Sequence, residues 1–213
     1  MKGEKIAGLN IDSIIDCLGR IVKILHDKPQ EALRELREIS SMVDDQVPYR
    51  DGHNQRVNEY SLRIGRELDL SEKEMVILEA AALLHDFGKI GVDEQILLKP
   101  SSLNEEEKIE VGSHVLRGYY ILSGFAELEQ ALKGVRTHHE RYDGSGYPEG
   151  LERDSIPLIG RIIAVADAYD AMTSERPYRK ARTKQEAMDE LKKMAGHQFD
   201  PAIVKIFLKI LNG

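Results

Sequence analysis

An all-α fold is what this sequence predicts. Apolar residues recur at i, i+3, i+4 and i+7 in almost every patterned stretch, helix-start signals recur along the chain, and no segment alternates with period two between hairpin turns. Ile11, Ile14, Ile15, Leu18, Val22 and Leu25 form the first apolar stripe, broken at Lys28-Pro29. Pro29 suits the first turn of a second helix, carried by Ala32, Leu33, Leu36, Ile39 and Val43 and stopped by Asp44-Asp45 and Pro48. Residues 1–45 are therefore expected to form a helical hairpin, and residues 46–213 the main domain. The hairpin's apolar faces would pack on that domain or on a second copy, as a homodimer, and the pattern leaves both open. Further along, Ser71-Glu72-Lys73-Glu74 and Thr183-Lys184-Gln185-Glu186 fit the capping box, in which side chain and backbone satisfy each other's free donors. Pro157 and Asp200-Pro201 open late helices near 157–173 and 201–211. One long polar connection separates them, from Glu140 through Asp143-Gly144-Ser145-Gly146-Tyr147-Pro148 to Gly150 and Ser155. A loop of that length in a compact domain reads as a binding loop or a surface excursion.

Composition narrows the function classes. The 213 residues are 41% hydrophobic and 31% charged, enough to bury a core without disulfides or a structural metal, so any metal site has to be explained by function. Thirty Lys+Arg against 37 Asp+Glu give a net charge of −7, which argues against binding a nucleic-acid polymer through a basic face. Cys17 is the only cysteine, which fits a reducing cytoplasm. Met1 to Asn10 lack a signal-peptide pattern and no apolar run approaches a membrane span, so a soluble, unprocessed chain is expected.

Chemistry concentrates in the histidines. Five of seven (His53, His85, His114, His138 and His139) lie near helix ends or beside other ligand-type residues. His85-Asp86 follows the apolar run Ala80-Ala81-Ala82-Leu83-Leu84 and precedes Phe87-Gly88-Lys89, so two ligand-capable groups emerge where a buried helix ends. Neighbours on a helix point about 100° apart, so His85 and Asp86 could bind one ion together, and His138 and His139 could address two adjacent ions. Asp167 sits in the apolar segment Ile162-Ile163-Ala164-Val165-Ala166-Asp167-Ala168, where a carboxylate is expensive unless paired or bound to a cation. Each of these residues has an ordinary alternative as a hydrogen-bonded structural group. A single site accounts for all of them at once.

His85-Asp86 is the signature of the HD phosphohydrolase superfamily. His85-Asp86-Phe87-Gly88-Lys89, His138-His139-Glu140 and Asp143-Gly144-Ser145-Gly146-Tyr147-Pro148 resemble the HD-GYP family of cyclic di-GMP phosphodiesterases. The similarity continues through Arg161 to Asp167 and through Arg176-Pro177-Tyr178-Arg179, and covers roughly residues 48–211. The resemblance implies an HD-domain helical bundle with a long GYP loop. Its implied metal ligands are His53, His85, Asp86, His114, His138, His139 and Asp167, with Asp86 bridging two ions. A third ion in some relatives uses a Glu four residues before the first histidine ligand; Tyr49 stands there, so a binuclear centre is implied. The phosphate-contacting lysine maps to Lys89, the GYP tyrosine to Tyr147, and the basic ligand-binding pair to Arg176 and Arg179. His85, Asp86 and Lys89 are the implied catalytic residues.

Neutral imidazoles with carboxylates suit iron or manganese, with nickel or zinc as alternatives, whereas magnesium and calcium prefer oxygen shells. Two divalent ions against the charges of Asp86 and Asp167 leave roughly +2 in the pocket, a phosphate trap inside an acidic protein. Such ions acidify a water held between them, so hydroxide attack on a phosphodiester is the expected reaction. By resemblance the substrate is cyclic di-GMP and the product pGpG, or GMP after a second cleavage. A non-catalytic cyclic di-GMP receptor and a hydrolase for another cyclic dinucleotide or nucleotide are the competing readings.

Overall fold

The computed structural model describes residues 11–45, 52–99, 101–175 and 180–213. Among these described residues eleven α-helices run in order: α1 (Ile11–Lys23), α2 (Pro29–Asp44), α3 (His53–Glu67), α4 (Glu72–Leu84), α5 (Glu94–Leu97), α6 (Glu105–Gly112), α7 (His114–Leu122), α8 (Glu129–Thr137), α9 (Leu158–Thr173), α10 (Lys184–Met194) and α11 (Pro201–Asn212). Among the described residues there is no strand, only two isolated bridges, Asp143 with Glu152 and Ala195 with Phe199. Both expected capping boxes are formed, and Asn104 with Glu107 makes a third at the start of α6. Asp200 accepts from the Ala202 N–H with Pro201 in the first turn of α11.

Burial explains which helix lies in the middle. A helix apolar on every side has no solvent face to offer. In α4 the whole stretch Leu78–Leu84 is buried, and α2, α3, α8 and α9 pack around it. A second largely apolar helix, α9, buries Ile162, Ile163, Val165 and Ala166. Glu79 is the one charged residue in the Leu78–Leu84 stretch and pairs with Arg37, while the candidate ligands gather at the C-terminal end of α4.

The hairpin packs onto this bundle. Leu18, Val22, Leu33 and Leu36 are 0% exposed and belong to the same cluster as Leu78, Leu83 and Ile163. Each such side chain contributes about 1.5–3 kcal/mol on burial. The amphipathic faces that motivated a homodimer are thus covered within the chain. Among the described residues, no helix is long and apolar enough to cross a membrane.

After α4 the chain makes a tight 3-10 turn, Phe87–Gly91, that lies on α7. Gly88 allows the approach: a Cβ there would run into the His114 carbonyl and the Gly118 amide. Backbone cannot yield as a side-chain tip can. Gly88→Ala is therefore expected to cost about 3 kcal/mol, at the upper end of overpacking effects, and to displace His114 from the end of α4. Denaturant unfolding and metal content, measured together, check it.

Candidate metal centre

Helix ends supply most of the site. His53 is the first residue of α3, His114 the first of α7, His85 follows the last residue of α4, and His138-His139 follow α8. Asp167 alone comes from mid-helix, in α9. Because those termini meet at one end of α4, residues up to 114 positions apart in sequence become neighbours.

Backbone geometry then aims the rings. At three helix ends the same local bond recurs: His85 Nδ1 lies 2.7 Å from the Ala82 carbonyl, His114 Nδ1 2.7 Å from Val111 and His138 Nδ1 2.8 Å from Val135. A carbonyl only accepts, so Nδ1 carries the proton in each neutral ring and Nε2 is the bare nitrogen. His53 uses a carboxylate instead, with Nδ1 2.7 Å from Asp170 Oδ2.

The bare nitrogens and the carboxylates form two adjacent groups. Ligand atoms of His53, His85 and Asp86 lie within 4.8 Å of one another, and so do those of His114, His138 and His139. Asp86 faces both: Oδ2 is 3.5 Å from His53 Nε2 and 3.6 Å from His85 Nε2, while Oδ1 is 3.2 Å from His114 Nε2. Asp167 Oδ1 is 3.3 Å from His53 Nε2. His138 and His139 thus join one group, where adjacency alone allowed them to address different ions.

These residues fit metal ions on two observations. His114 Nε2 and His138 Nε2 face each other at 3.3 Å. With both Nδ1 atoms protonated, two lone pairs point at one spot, which is stable only around a cation or a proton; two nitrogens about 2.1 Å from one ion at a tetrahedral angle stand roughly 3.4 Å apart. Secondly, His85 Nε2 is fully buried with no hydrogen-bond partner among the described residues. A buried orphan acceptor of that kind needs an explanation, and a ligand position supplies one.

Electrostatics keeps the donors in their metal-binding forms. Burial pushes His85 down to about 4 and His139 down to about 3, and burial with the neighbouring imidazoles drives His138 well below its usual value. All three rings are neutral at neutral pH. Burial alone would raise Asp167, but the facing His53 ring holds it well below the ordinary carboxylate value. Lys89, buried on the same turn, bonds Asp86 Oδ2 with its ammonium.

Tyr147 reaches the site from the long loop. Its ring stacks on His139 at 5.0 Å between centroids and 23° between planes. Gly146 passes so close to the backbone of Glu140 and Arg141 that a Cβ has no room, which folds the loop back on His138-His139-Glu140. The buried Glu140 fastens it, accepting from the Glu149 N–H at 2.7 Å and the Leu151 N–H at 3.0 Å. Burial, with Asp167 and Asp86 nearby, pushes the Tyr147 phenol up, so it stays protonated. A cavity of about 490 Å³ opens beside this wall, lined by His138, His139, Tyr147 and Asp167. Arg176, Arg179 and Tyr49 lie outside the described residues.

Two residues with clear tasks were not singled out from sequence. Asp170 is buried and receives His53 Nδ1, Arg56 Nε at 2.5 Å and Arg56 Nη2 at 3.1 Å. It fixes the ring that presents Nε2 to the first group, and Arg56 holds the carboxylate in turn. The available signal was its position three residues after Asp167, one turn along α9. The other is Glu140, whose signal was its adjacency to His138-His139.

The HD domain family model matches residues 37–203, most of the chain. The chain belongs to the HD domain family. A cyclic di-GMP phosphodiesterase of Thermotoga maritima is 41% identical to this HD domain over 187 residues, covering 85% of the chain and 50% of the relative. A 3'3'-cGAMP-specific phosphodiesterase 3 of Vibrio cholerae is 39% identical over 171 residues, covering 80% of the chain and 37% of the relative. The chain spans about half or less of the length of these curated relatives. Among solved structures, Bd1817, an HDG"Y"P protein from Bdellovibrio bacteriovorus, superposes with a TM-score of 0.65 at 17% identity, covering 100% of this chain and 76% of that one. This likeness speaks for the helical fold.

Asp170→Asn in this HD domain is expected to weaken metal binding at the His53 group by about 10- to 100-fold, because the amide no longer holds His53 in one tautomer. Competition with a chromogenic chelator measures it. Unchanged affinity would remove Asp170 from that task.

Proposed function

We propose that the chain is a metal-dependent phosphodiesterase that hydrolyses cyclic di-GMP to pGpG, with GMP as the product of a second cleavage. Two divalent transition-metal ions, iron or manganese, would be held by His53, His85 and Asp167 on one side and by His114, His138 and His139 on the other, with Asp86 between them. The observation that carries the reading is Asp86, whose two oxygens face the two imidazole groups. Bound there, the ions supply positive charge for a phosphate and lower the pKa of water toward neutrality.

The chain's own residues prepare the rest. Local Nδ1 bonds lock His85, His114 and His138 with Nε2 facing inward, so no ring has to reorient when a diester arrives. The carboxylates of Asp86 and Asp167 balance only part of the charge of two divalent ions, leaving an attraction for anions. Lys89 places an ammonium on the same wall, where it would meet a nonbridging phosphate oxygen or support the leaving oxygen. Tyr147 covers His139 at the mouth and narrows access for water. Arg176 and Arg179 fit contacts to the second phosphate or a guanine edge, through the fork geometry of arginine.

A second substrate reading comes from the 39% identity to a relative named as specific for 3'3'-cGAMP. One experiment separates the readings: anaerobic protein loaded with manganese or iron(II) is given cyclic di-GMP, 3'3'-cGAMP and cyclic di-AMP in parallel. Fastest turnover of cyclic di-GMP is expected, abolished by chelation and restored by added metal. Faster turnover of 3'3'-cGAMP would favour the second reading. Tight cyclic di-GMP binding by fully metallated protein without product would replace the enzyme with a receptor.

A further inference from the structure

The cavity beside the imidazole wall continues away from it, along the C-terminal part of α9 toward α10 and the turn before α11. Its far end is lined by Met172, Arg182, Glu190, Met194, Gln198 and Phe199, none of which is a candidate metal ligand. Met172 and Phe199 are buried and give an apolar floor. Above it stands a polar pair: Arg182 Nη1 donates to Glu190 Oε2 at 3.1 Å, and lies 3.6 Å from Met172 Sδ. The Arg182 backbone N–H is tied to the Met172 carbonyl at 2.8 Å, which anchors the base of the pair. Gln198 adds a side-chain amide with no hydrogen-bond partner among the described residues.

An apolar surface bordered by an adjacent donor and acceptor is suited to a flat heterocycle with polar edges. Which heterocycle follows from the order of the edge groups. Guanine presents O6 beside N1–H beside the N2 amine, so a guanidinium next to a carboxylate meets an acceptor next to two donors. Adenine offers one donor group on that edge and turns the N1 lone pair toward the carboxylate. In that register a single carboxylate can therefore satisfy two guanine donors and none from adenine.

We propose that this far end is a guanine-reading subsite, in which Glu190 accepts from N1–H and the N2 amine, Arg182 donates to O6, and Met172, Met194 and Phe199 cover the base. The assignment rests on the phosphodiesterase reading for the phosphate at the imidazole wall, and it names Glu190 as the specificity-determining residue. Loss of one charge-assisted hydrogen bond at a partly exposed site changes affinity by about tenfold.

The test uses the manganese-loaded chain of 213 residues and equilibrium dialysis with GMP and with AMP, ligands that contain no diester to cleave. The wild type is expected to bind GMP about tenfold more tightly than AMP. Glu190→Gln should abolish that preference, since its amide turns a donor toward guanine donors, while AMP affinity stays within about twofold. Arg182→Lys, which keeps the charge and loses the fork, should lower GMP affinity with a smaller effect on AMP. Equal binding of GMP and AMP by the wild type, or an undiminished GMP preference in Glu190→Gln, would overturn the subsite. Cyclic di-GMP turnover measured on the same preparations reports separately on the phosphodiesterase reading. Guanine preference without turnover keeps the subsite and removes the enzyme; turnover without any dependence on Glu190 does the reverse.

Discussion

Asp86→Asn is expected to lower bound metal from two ions per chain to one or none and to cut phosphodiester hydrolysis by roughly a thousandfold, or about 4 kcal/mol of transition-state stabilisation. The substitution keeps the shape of the side chain and removes its charge and one of its ligand oxygens. Oδ2 faces His53 and His85 while Oδ1 faces His114, so one imidazole group loses its oxygen outright and the other keeps only a neutral amide oxygen. A second effect follows from the bond to Lys89: a buried ammonium that faced a carboxylate now faces a neutral amide. The metal-free variant should therefore be less stable than the metal-free parent by about 3 kcal/mol. Metal analysis, turnover and denaturant unfolding on one preparation check all three consequences. A variant that retains two ions and full turnover would remove Asp86 from the centre. His85→Ala makes a useful comparison, since it strips one group and leaves the His114 group its own three ligands.

Acid is expected to unfold the chelated protein well before it unfolds the metal-loaded one. His85 is pushed down to about 4 in the folded chain, against an ordinary value near 6.5, and burial is the largest cause. Below pH ~6.5 the unfolded chain takes up a proton that the folded chain refuses, so the contribution is full above that pH and is lost as pH falls toward about 4. The shift corresponds to roughly 3 kcal/mol for His85, and His139, pushed down to about 3, acts in the same direction. Asp167, held low beside His53, adds a loss at still lower pH, with the sign of a stabilised carboxylate. Bound metal competes with these protons and should move the transition to lower pH. Thermal melts of chelated protein between pH 7 and pH 4 test this: a melting temperature independent of pH in that window would show that the imidazoles do not remain neutral and buried.

Local pattern and distant packing contributed differently to what could be read. The helix starts at Ser71 and Thr183, with capping boxes, and at Asp200, an N-cap followed by proline, were legible because each signal lies within four consecutive residues and needs no partner from elsewhere. The hairpin from Ile11 to Asp44 was legible for a similar reason, since helical periodicity is a property of one segment. Where its apolar faces go was not, because a stripe specifies that burial occurs and leaves the covering surface unnamed; α4 turned out to be that surface for α2. Candidate ligands were visible by residue type and motif, yet their grouping was not. His138 and His139 are adjacent in sequence, and only the position of α7 decides that both stand beside His114.

By itself, then, the sequence determined the helical class, the helix boundaries that depend on caps and prolines, and the residue types able to hold a transition metal. Tertiary structure decided that four helix ends and one mid-helix carboxylate meet at the end of α4, that Asp86 stands between two imidazole groups, and that Asp170 and Arg56 steady His53 from behind. The physical reason is range: caps and periodicity are satisfied within a few residues, whereas a lone pair's direction depends on which backbone carbonyl or carboxylate its ring meets after the helices have packed.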